Sequence, residues 1–194
     1  MKYFRLMLND DKEKWRKYEV FSIDFYSDMN RISPKDAYPY LIDRELKVYI
    51  KAIKRGESPD FSSVGSYYLI ANASKYDKAE ISFNGLEPLD VLVEGKDKGY
   101  IVFHFKRKVD CVDLNRSECI KWPDDYVSKP WENPIAQFFL KPALRRNKIP
   151  TEFDCFSLDK WGGAFNQVVS EKARDKLFSL DTEGFLHFQE LEVI

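Results

Sequence analysis

Polar and hydrophobic residues alternate at the start of the chain, where Phe4, Leu6 and Leu8 would share one face of an extended strand. A spacing of two is that of a half-buried β-strand, so we expect the fold to begin with a strand. The pattern changes between Pro34 and Gly56. Apolar residues then recur every three or four positions, at Ile42, Leu46, Tyr49, Ile50 and Ile53. This spacing predicts a helix with one buried face that ends at the glycine.

Short apolar runs in the middle of the chain predict the strands of a sheet. They occupy residues 67–71, 81–83, 89–93, 100–105 and 109–114. The Asn84–Gly85 pair is a turn signal after the second run, and residues 94–99 have the composition of a hairpin loop. Residues 100–105 are apolar on both faces apart from His104, so we expect them to form an interior strand of a mainly antiparallel sheet.

Residues 121–150 contain several prolines, which leave room only for short helical or extended pieces. These are Pro123, Pro130, Pro134, Pro142 and Pro150. A backbone without a regular hydrogen-bond ladder is costly to bury, because its donors and acceptors stay unpaired. We therefore expect the segment from Pro123 to Pro134 to lie on the surface.

The last part of the chain predicts a helix followed by a closing strand. Ser170 precedes the helix, and its hydroxyl can accept hydrogen bonds from the first free backbone N–H groups. The apolar residues that share one face of this helix are Ala173, Leu177 and Leu180. Gly184 marks the next turn, and residues 185–193 are typical of a strand. Because no repeat or linker divides the chain, residues 1–194 are predicted to form a single α+β domain.

The composition of the chain indicates which partners it can bind and in which cellular compartment we expect it. The chain has 194 residues, with 31 Lys and Arg against 32 Asp and Glu, so its net charge is −1. A near-neutral chain in which 44% of residues are hydrophobic is neither disordered nor held to nucleic acid by bulk charge. The N-terminus lacks a signal-peptide pattern, and every apolar run is far shorter than the ~20 residues of a membrane span. We therefore expect a cytoplasmic protein that binds neither nucleic acid nor membrane.

The positions of cysteine and histidine predict no metal or cofactor site. Cys111, Cys119 and Cys155 show no CxxC spacing and are expected to be free thiols. His104 and His187 each stand alone, which is not the spacing of a zinc site. A Cys-dependent hydrolase or transferase, using Cys155 or Cys111 with a histidine, stays open as an alternative because such partners meet in space and not in sequence.

The C-terminal half, residues 100–194, carries a succession of short motifs. They are YIVFH at 100–104, VDCVD at 109–113, SEC at 117–119, FDCFSL at 153–158, VVSEK at 168–172 and GFLHF at 184–188. This succession resembles a bacterial family of immunity proteins of polymorphic toxin systems. The residues that match the family's pattern are Asp113, Ser117, Ser170, Glu171 and Gly184. Glu183 departs from it, because the family has a threonine before the glycine. The resemblance implies a protein that binds and neutralises a cognate protein toxin.

The segment 121–132 is the most unusual in composition and offers a candidate binding surface. Tryptophan and tyrosine on a loop stiffened by proline lose little entropy when they bind a partner. The residues that we assign to partner binding are Asp124, Asp125, Trp131, Glu132 and Trp161. We expect Trp131 or Trp161, or both, to be partly exposed beside the acidic residues. A toxin that cleaves nucleic acid would present a basic cleft, to which these carboxylates are complementary.

These observations lead to the hypothesis of a cytoplasmic, non-catalytic immunity protein that binds and blocks a bacterial toxin. The first alternative is the Cys-dependent hydrolase or transferase described above, and the second is a general protein-binding adaptor.

Overall fold

Strands dominate the structure, a computed structural model that describes residues 1–23, 49–64, 68–93, 99–129, 132–162 and 166–194. In the first half the elements are β1 Tyr3–Leu8, α1 Lys12–Trp15, β2 Val20–Ile23, β3 Tyr49–Lys54, β4 Phe61–Val64, β5 Tyr68–Asn72 and β6 Leu86–Val93. Next come β7 Tyr100–Phe105, β8 Lys108–Val109, β9 Glu118–Ile120, β10 Phe138–Lys141, β11 Ala143–Leu144 and a 3-10 helix Arg146–Lys148. The last elements are β12 Cys155–Leu158, β13 Gln167–Ser170, α2 Glu171–Leu180, β14 Leu186–Glu190 and β15 Glu192–Val193. The predicted α+β class with mainly antiparallel sheets is confirmed.

The first strand lies at the centre of a five-stranded open sheet with the order β14-β1-β13-β12-β8. All pairs in this sheet are antiparallel except β12 with β8. Leu6 pairs with Phe188 on one side of β1, and Arg5 pairs with Val168 on the other. The predicted first strand is therefore confirmed, and both of its neighbours come from the last thirty residues of the chain.

A second sheet closes on itself in the strand order β2-β3-β6-β7-β5-β4, and we call it the closed sheet. Strand β7 pairs antiparallel with β6 on one side and with β5 on the other. All six of its residues are buried. The prediction that residues 100–105 form an interior strand of a mainly antiparallel sheet is confirmed, since only β2 with β4 and β3 with β6 pair parallel among the described strands of the closed sheet. Strands β6 and β7 pair as a hairpin would, while 94–98 of the predicted hairpin loop lie outside the described residues.

The main core lies where the two sheets pack face to face. Alternate residues of β7, Ile101 and Phe103, point out of the closed sheet and join Phe4 and Leu6 of β1 in one buried cluster. The other residues of β7, such as Val102, belong to a separate cluster within the closed sheet. The opposite face of the open sheet is covered by described residues of 109–112 and 144–149 and by Trp161. The buried residues on this face include Tyr3, Val109, Leu144, Phe156, Leu158, Trp161 and Val168.

The helix predicted near the C-terminus is confirmed as α2. The Ser170 hydroxyl oxygen accepts a hydrogen bond from the backbone N–H of Ala173 at 3.3 Å, which satisfies one of the free donors of the first turn. Ala173 and Leu177 are buried in the main core, and Leu180 packs against it. Beyond the helix, the Asp181 carboxylate accepts hydrogen bonds from two backbone N–H groups at the start of β14 and fixes the turn.

The predicted helix between Pro34 and Gly56 is wrong at its C-terminal end, because Tyr49–Lys54 is strand β3. The rest of that prediction falls at 34–48, outside the described residues. Strand β3 pairs with β2 on one side and β6 on the other, and these non-local hydrogen bonds override the local spacing. Gly56 does not end a helix. It lets two backbone segments approach closely, since a Cβ there would lie 2.4 Å from the Lys17 carbonyl oxygen.

Two further predictions of strands need correction. Residues 81–83 form a turn with one isolated bridge, between Phe83 and Leu86, although Ile81 is fully buried. Of residues 109–114, only Val109 belongs to a strand, β8.

The Asn84–Gly85 turn is present, and Gly85 has a φ of 93°. A Cβ on Gly85 would lie 2.0 Å from the Cys155 carbonyl oxygen, so the turn needs glycine for two reasons.

Replacing Leu177 with alanine tests the packing of α2 on the main core. Leu177 is 0% exposed, so its loss leaves a cavity and should lower the free energy of unfolding by roughly 2–5 kcal/mol. Urea denaturation followed by circular dichroism measures the change. Phe178→Ala is the matched control on the same helix, since Phe178 is 66% exposed and its loss should change the free energy by about 0.5 kcal/mol or less. Equal effects of the two substitutions would contradict this packing.

Candidate binding surface

Strands β9 and β10 form a two-stranded ribbon. It packs on the face of the open sheet that points away from the closed sheet, which we call the second face. Ile120 pairs with Phe138, and Cys119 pairs with Phe139, in antiparallel register. The inner face of the ribbon packs on the core, where the rings of Phe139 and Trp161 meet edge to face at 4.9 Å. The guanidinium of Arg5, itself 7% exposed, donates to the Leu140 carbonyl oxygen at 2.8 Å and ties the ribbon to β1.

The outer face of the ribbon is apolar and exposed. Ile120 and Phe138 are paired directly and share one side of the ribbon, where they are 49% and 55% exposed. Leu140 follows at a β-bulge between Phe139 and Lys141 and is 51% exposed. We call these three residues the outer face. A single exposed hydrophobic side chain is ordinary, whereas several large ones side by side mark surfaces that contact another molecule.

The loop that joins β9 to β10 is held together by its own side chains. The rings of Trp122 and Tyr126 stack at 4.4 Å with an angle of 14° between their planes. The Trp122 indole N–H donates to the Asn133 carbonyl oxygen at 2.8 Å. The Glu132 carboxylate accepts from the Tyr126 hydroxyl at 2.8 Å and from the Lys129 backbone N–H at 2.7 Å. These contacts give the loop a defined shape in the absence of a regular ladder.

The predicted surface location of Pro123–Pro134 is confirmed for the part of the segment that the structure describes. Asp124 and Asp125 are exposed at the tip, beside the 86% exposed Val127. Glu132 is half-buried, and its hydrogen bonds with the Lys129 N–H and the Tyr126 hydroxyl lower the pKa of its carboxyl. Asp124 and Asp125 are therefore the exposed carboxylates of this part of the loop, while Glu132 is engaged in contacts within the loop.

Trp161, one of the residues assigned to partner binding, is only 4% exposed, so it is not the partly exposed tryptophan that we expected. Its ring lies under the ribbon against Phe139, in the cluster that covers the second face of the open sheet. Trp131 lies outside the described residues. The expectation of an exposed tryptophan beside the acids therefore rests on Trp131 alone.

The outer face was not among the residues singled out from the sequence. Residues 138–140 read as Phe-Phe-Leu, a continuous apolar run that gives no sign of which side chains face solvent. Only the folded ribbon divides them, with Phe138 and Leu140 exposed and Phe139 partly buried against the core. The one local signal is the position of this run directly after the loop rich in proline and tryptophan.

The thiols are placed poorly for nucleophilic catalysis. All three cysteines are free, as predicted, and Cys111 and Cys155 are fully buried. Burial raises the pKa of the Cys111 thiol to about 12 and also raises the pKa of Cys155, so neither forms a thiolate readily at neutral pH. His104 is buried in β7, and desolvation lowers the pKa of its imidazole.

In the described part of the chain, the His, Cys, Asp and Glu side chains form no group of three or more that could hold a metal ion. Within the same residues, every helix is too short or too polar to cross a membrane.

Comparison with models of known protein families and with curated protein sequences finds no match to this chain. The resemblance to immunity proteins therefore stays a hypothesis that rests on the motifs of the C-terminal half.

Labelling with iodoacetamide at neutral pH tests the assignment of the thiols. We expect Cys111 and Cys155 to stay unmodified in the folded protein, because both are buried and their pKa values are raised. Half-buried Cys119 should react slowly, and mass spectrometry counts the labels. In urea all three should react, and the Cys119→Ser variant should show no label when folded. Labelling of Cys155 in the folded protein faster than that of free cysteine would favour the Cys-dependent enzyme instead.

Proposed function

We propose that this chain is a non-catalytic immunity protein that binds and blocks a bacterial protein toxin through the ribbon and its loop. The observation that carries the proposal is the outer face, where Ile120, Phe138 and Leu140 are each about half exposed. Covering such a patch with a partner removes apolar surface from water, which lowers the free energy of the complex. Together with the sequence resemblance, this supports a protein whose work is binding.

The charges beside the outer face suggest the kind of surface that the partner presents. Asp124 and Asp125 lie on the loop that continues the ribbon and are exposed. The same loop also exposes Lys121 and Lys129, so the border of the outer face is not uniformly negative. The adjacent carboxylates of Asp124 and Asp125 are the groups that would complement the basic cleft of an enzyme that cleaves nucleic acid. The toxin that we propose is therefore a nuclease, whose cleft the loop would occupy.

The internal contacts of the loop favour tight binding. Ordering a loop on association costs free energy, and a loop that already has its shape avoids much of that cost. The Trp122–Tyr126 stack and the two hydrogen bonds to Glu132 provide this preorganisation.

The thiols of Cys111 and Cys155 are buried and their pKa values are raised, which supports a non-catalytic role over the Cys-dependent alternative. The same proposal includes a cytoplasmic location, because the cell that produces the toxin needs protection there.

Co-expression with the product of the neighbouring reading frame tests the proposal. We expect that product to be toxic alone, and this protein to restore growth and to co-purify with it. The double variant Phe138→Ala, Leu140→Ala should weaken the complex at least about tenfold, because truncating central apolar residues of an interface costs more than about 1 kcal/mol each. Isothermal titration calorimetry with the purified partner measures this change.

Controls separate the loss of binding from the loss of folding. Phe178→Ala removes an equally exposed phenylalanine from α2, which packs on the other face of the open sheet, and should leave binding unchanged. The variant Asp124→Asn, Asp125→Asn should chiefly slow association and reduce its dependence on salt. A neighbouring product that is not toxic, or toxicity that this protein does not relieve, would contradict the proposed function.

A further inference from the structure

A cavity of about 360 Å³ lies where β7 of the closed sheet passes the end of β12 in the open sheet. Phe103 and Phe105 form an aromatic wall, and Ser157 and Gln167, which pair across β12 and β13, line the cavity from the open sheet. Pockets for small molecules have volumes of roughly 300–1,000 Å³ and combine apolar walls with a few polar groups. The cavity has both properties, and it is separate from the exposed outer face of the ribbon.

Trp161 contributes a hydrogen-bond donor that has no acceptor in the part of the chain that the structure describes. Trp161 lines the cavity and is 4% exposed, and its indole Nε1 is buried without an acceptor among the described residues. Two other tryptophans behave differently, since the indoles of Trp15 and Trp122 donate to the carbonyl oxygens of Asn9 and Asn133 at 2.7 and 2.8 Å. Buried donors are nearly always paired, so a ligand acceptor would complete this site.

The residue before Trp161 has an unusual backbone. Lys160 has a φ of 60°, and it is the one residue other than glycine with a positive φ in the part of the chain that the structure describes. A lysine in this conformation is strained, and such strain is concentrated at binding and catalytic sites. The Lys160 ammonium is held by the Asp110 carboxylate at 2.6 Å, which fixes the turn that places Trp161 against the cavity.

The charged residues that line the cavity are Lys108, Lys160 and Asp159. Because Lys160 is paired with Asp110, Lys108 is the lining cation for which no carboxylate partner occurs among the described residues. Ammonium and indole groups can only donate hydrogen bonds, so they select a ligand that accepts. We propose that this cavity binds a small planar aromatic carboxylate, whose ring packs on the aromatic wall and whose oxygens meet the Trp161 N–H and Lys108.

Titration by NMR with 1-naphthoate as the probe tests this site. Indole N–H resonances are few and well resolved, and the Trp161→Phe variant identifies that of Trp161. We expect 1-naphthoate to shift this resonance saturably, while the indole of Trp15 stays in place. Lys108→Gln should weaken binding about tenfold, the loss expected when a hydrogen bond to a charged group is removed. Lys108 is exposed, so this variant should keep the fold, as its urea midpoint can verify.

The cation 1-naphthylmethylammonium serves as the control of opposite charge, because its ring is the same and Asp159 would be its partner. It should bind at least about tenfold more weakly than 1-naphthoate, since it offers no acceptor to the Trp161 indole. Three results would overturn the proposal: a Trp161 resonance that does not respond, equal binding of the two probes, or an unchanged affinity in Lys108→Gln. None of these results depends on the toxin, so they judge the cavity independently of the proposed function.

Discussion

The pairing of β1 with β13 and β14 is the constraint on which the rest of the structure depends. Because β1 lies between strands from the end of the chain, the open sheet cannot form until the C-terminal third is present. The side chains of β1 alternate between the two faces of the open sheet. Phe4 and Leu6 face the closed sheet, while Tyr3 packs with Phe156 on the opposite face. One strand thus joins both cores, and contacts between distant parts of the sequence dominate the fold.

The ribbon depends on the same strand. Arg5 is buried in β1, where desolvation lowers the pKa of its guanidinium, and it donates to the Leu140 carbonyl. A buried charge is costly unless its donors are used, so this arrangement favours one position of the ribbon over others. Arg5 and Trp161 fix the inner face, while the side chains of the outer face stay about half exposed. Its exposure therefore follows from how the ribbon is attached.

Local signals in the sequence predicted the elements that local forces determine. Ser170 caps α2 through its own hydroxyl, and the apolar spacing of Ala173 and Leu177 is satisfied within one helix. The errors share a different cause. Tyr49–Lys54 fits either a helix or a strand, and pairing with β2 and β6 decides. The burial of Trp161 likewise depends on a ribbon formed by residues over twenty positions earlier, which no short pattern encodes.

Some residues that line the cavity also contact the ribbon or its loop, so movement on one side can affect the other. Trp161 lines the cavity and also supports Phe139, and Asn133 of the loop lines the cavity while its carbonyl holds Trp122. Gly162 sits tightly between them, since a Cβ there would lie 2.5 Å from the Phe139 ring and 2.8 Å from the Asn133 amide nitrogen. Close-packed groups transmit displacement because there is no free volume to absorb it. A shift of Trp161 away from the cavity and towards Phe139 would therefore move the inner face of the ribbon, and with it the surface that the ribbon presents.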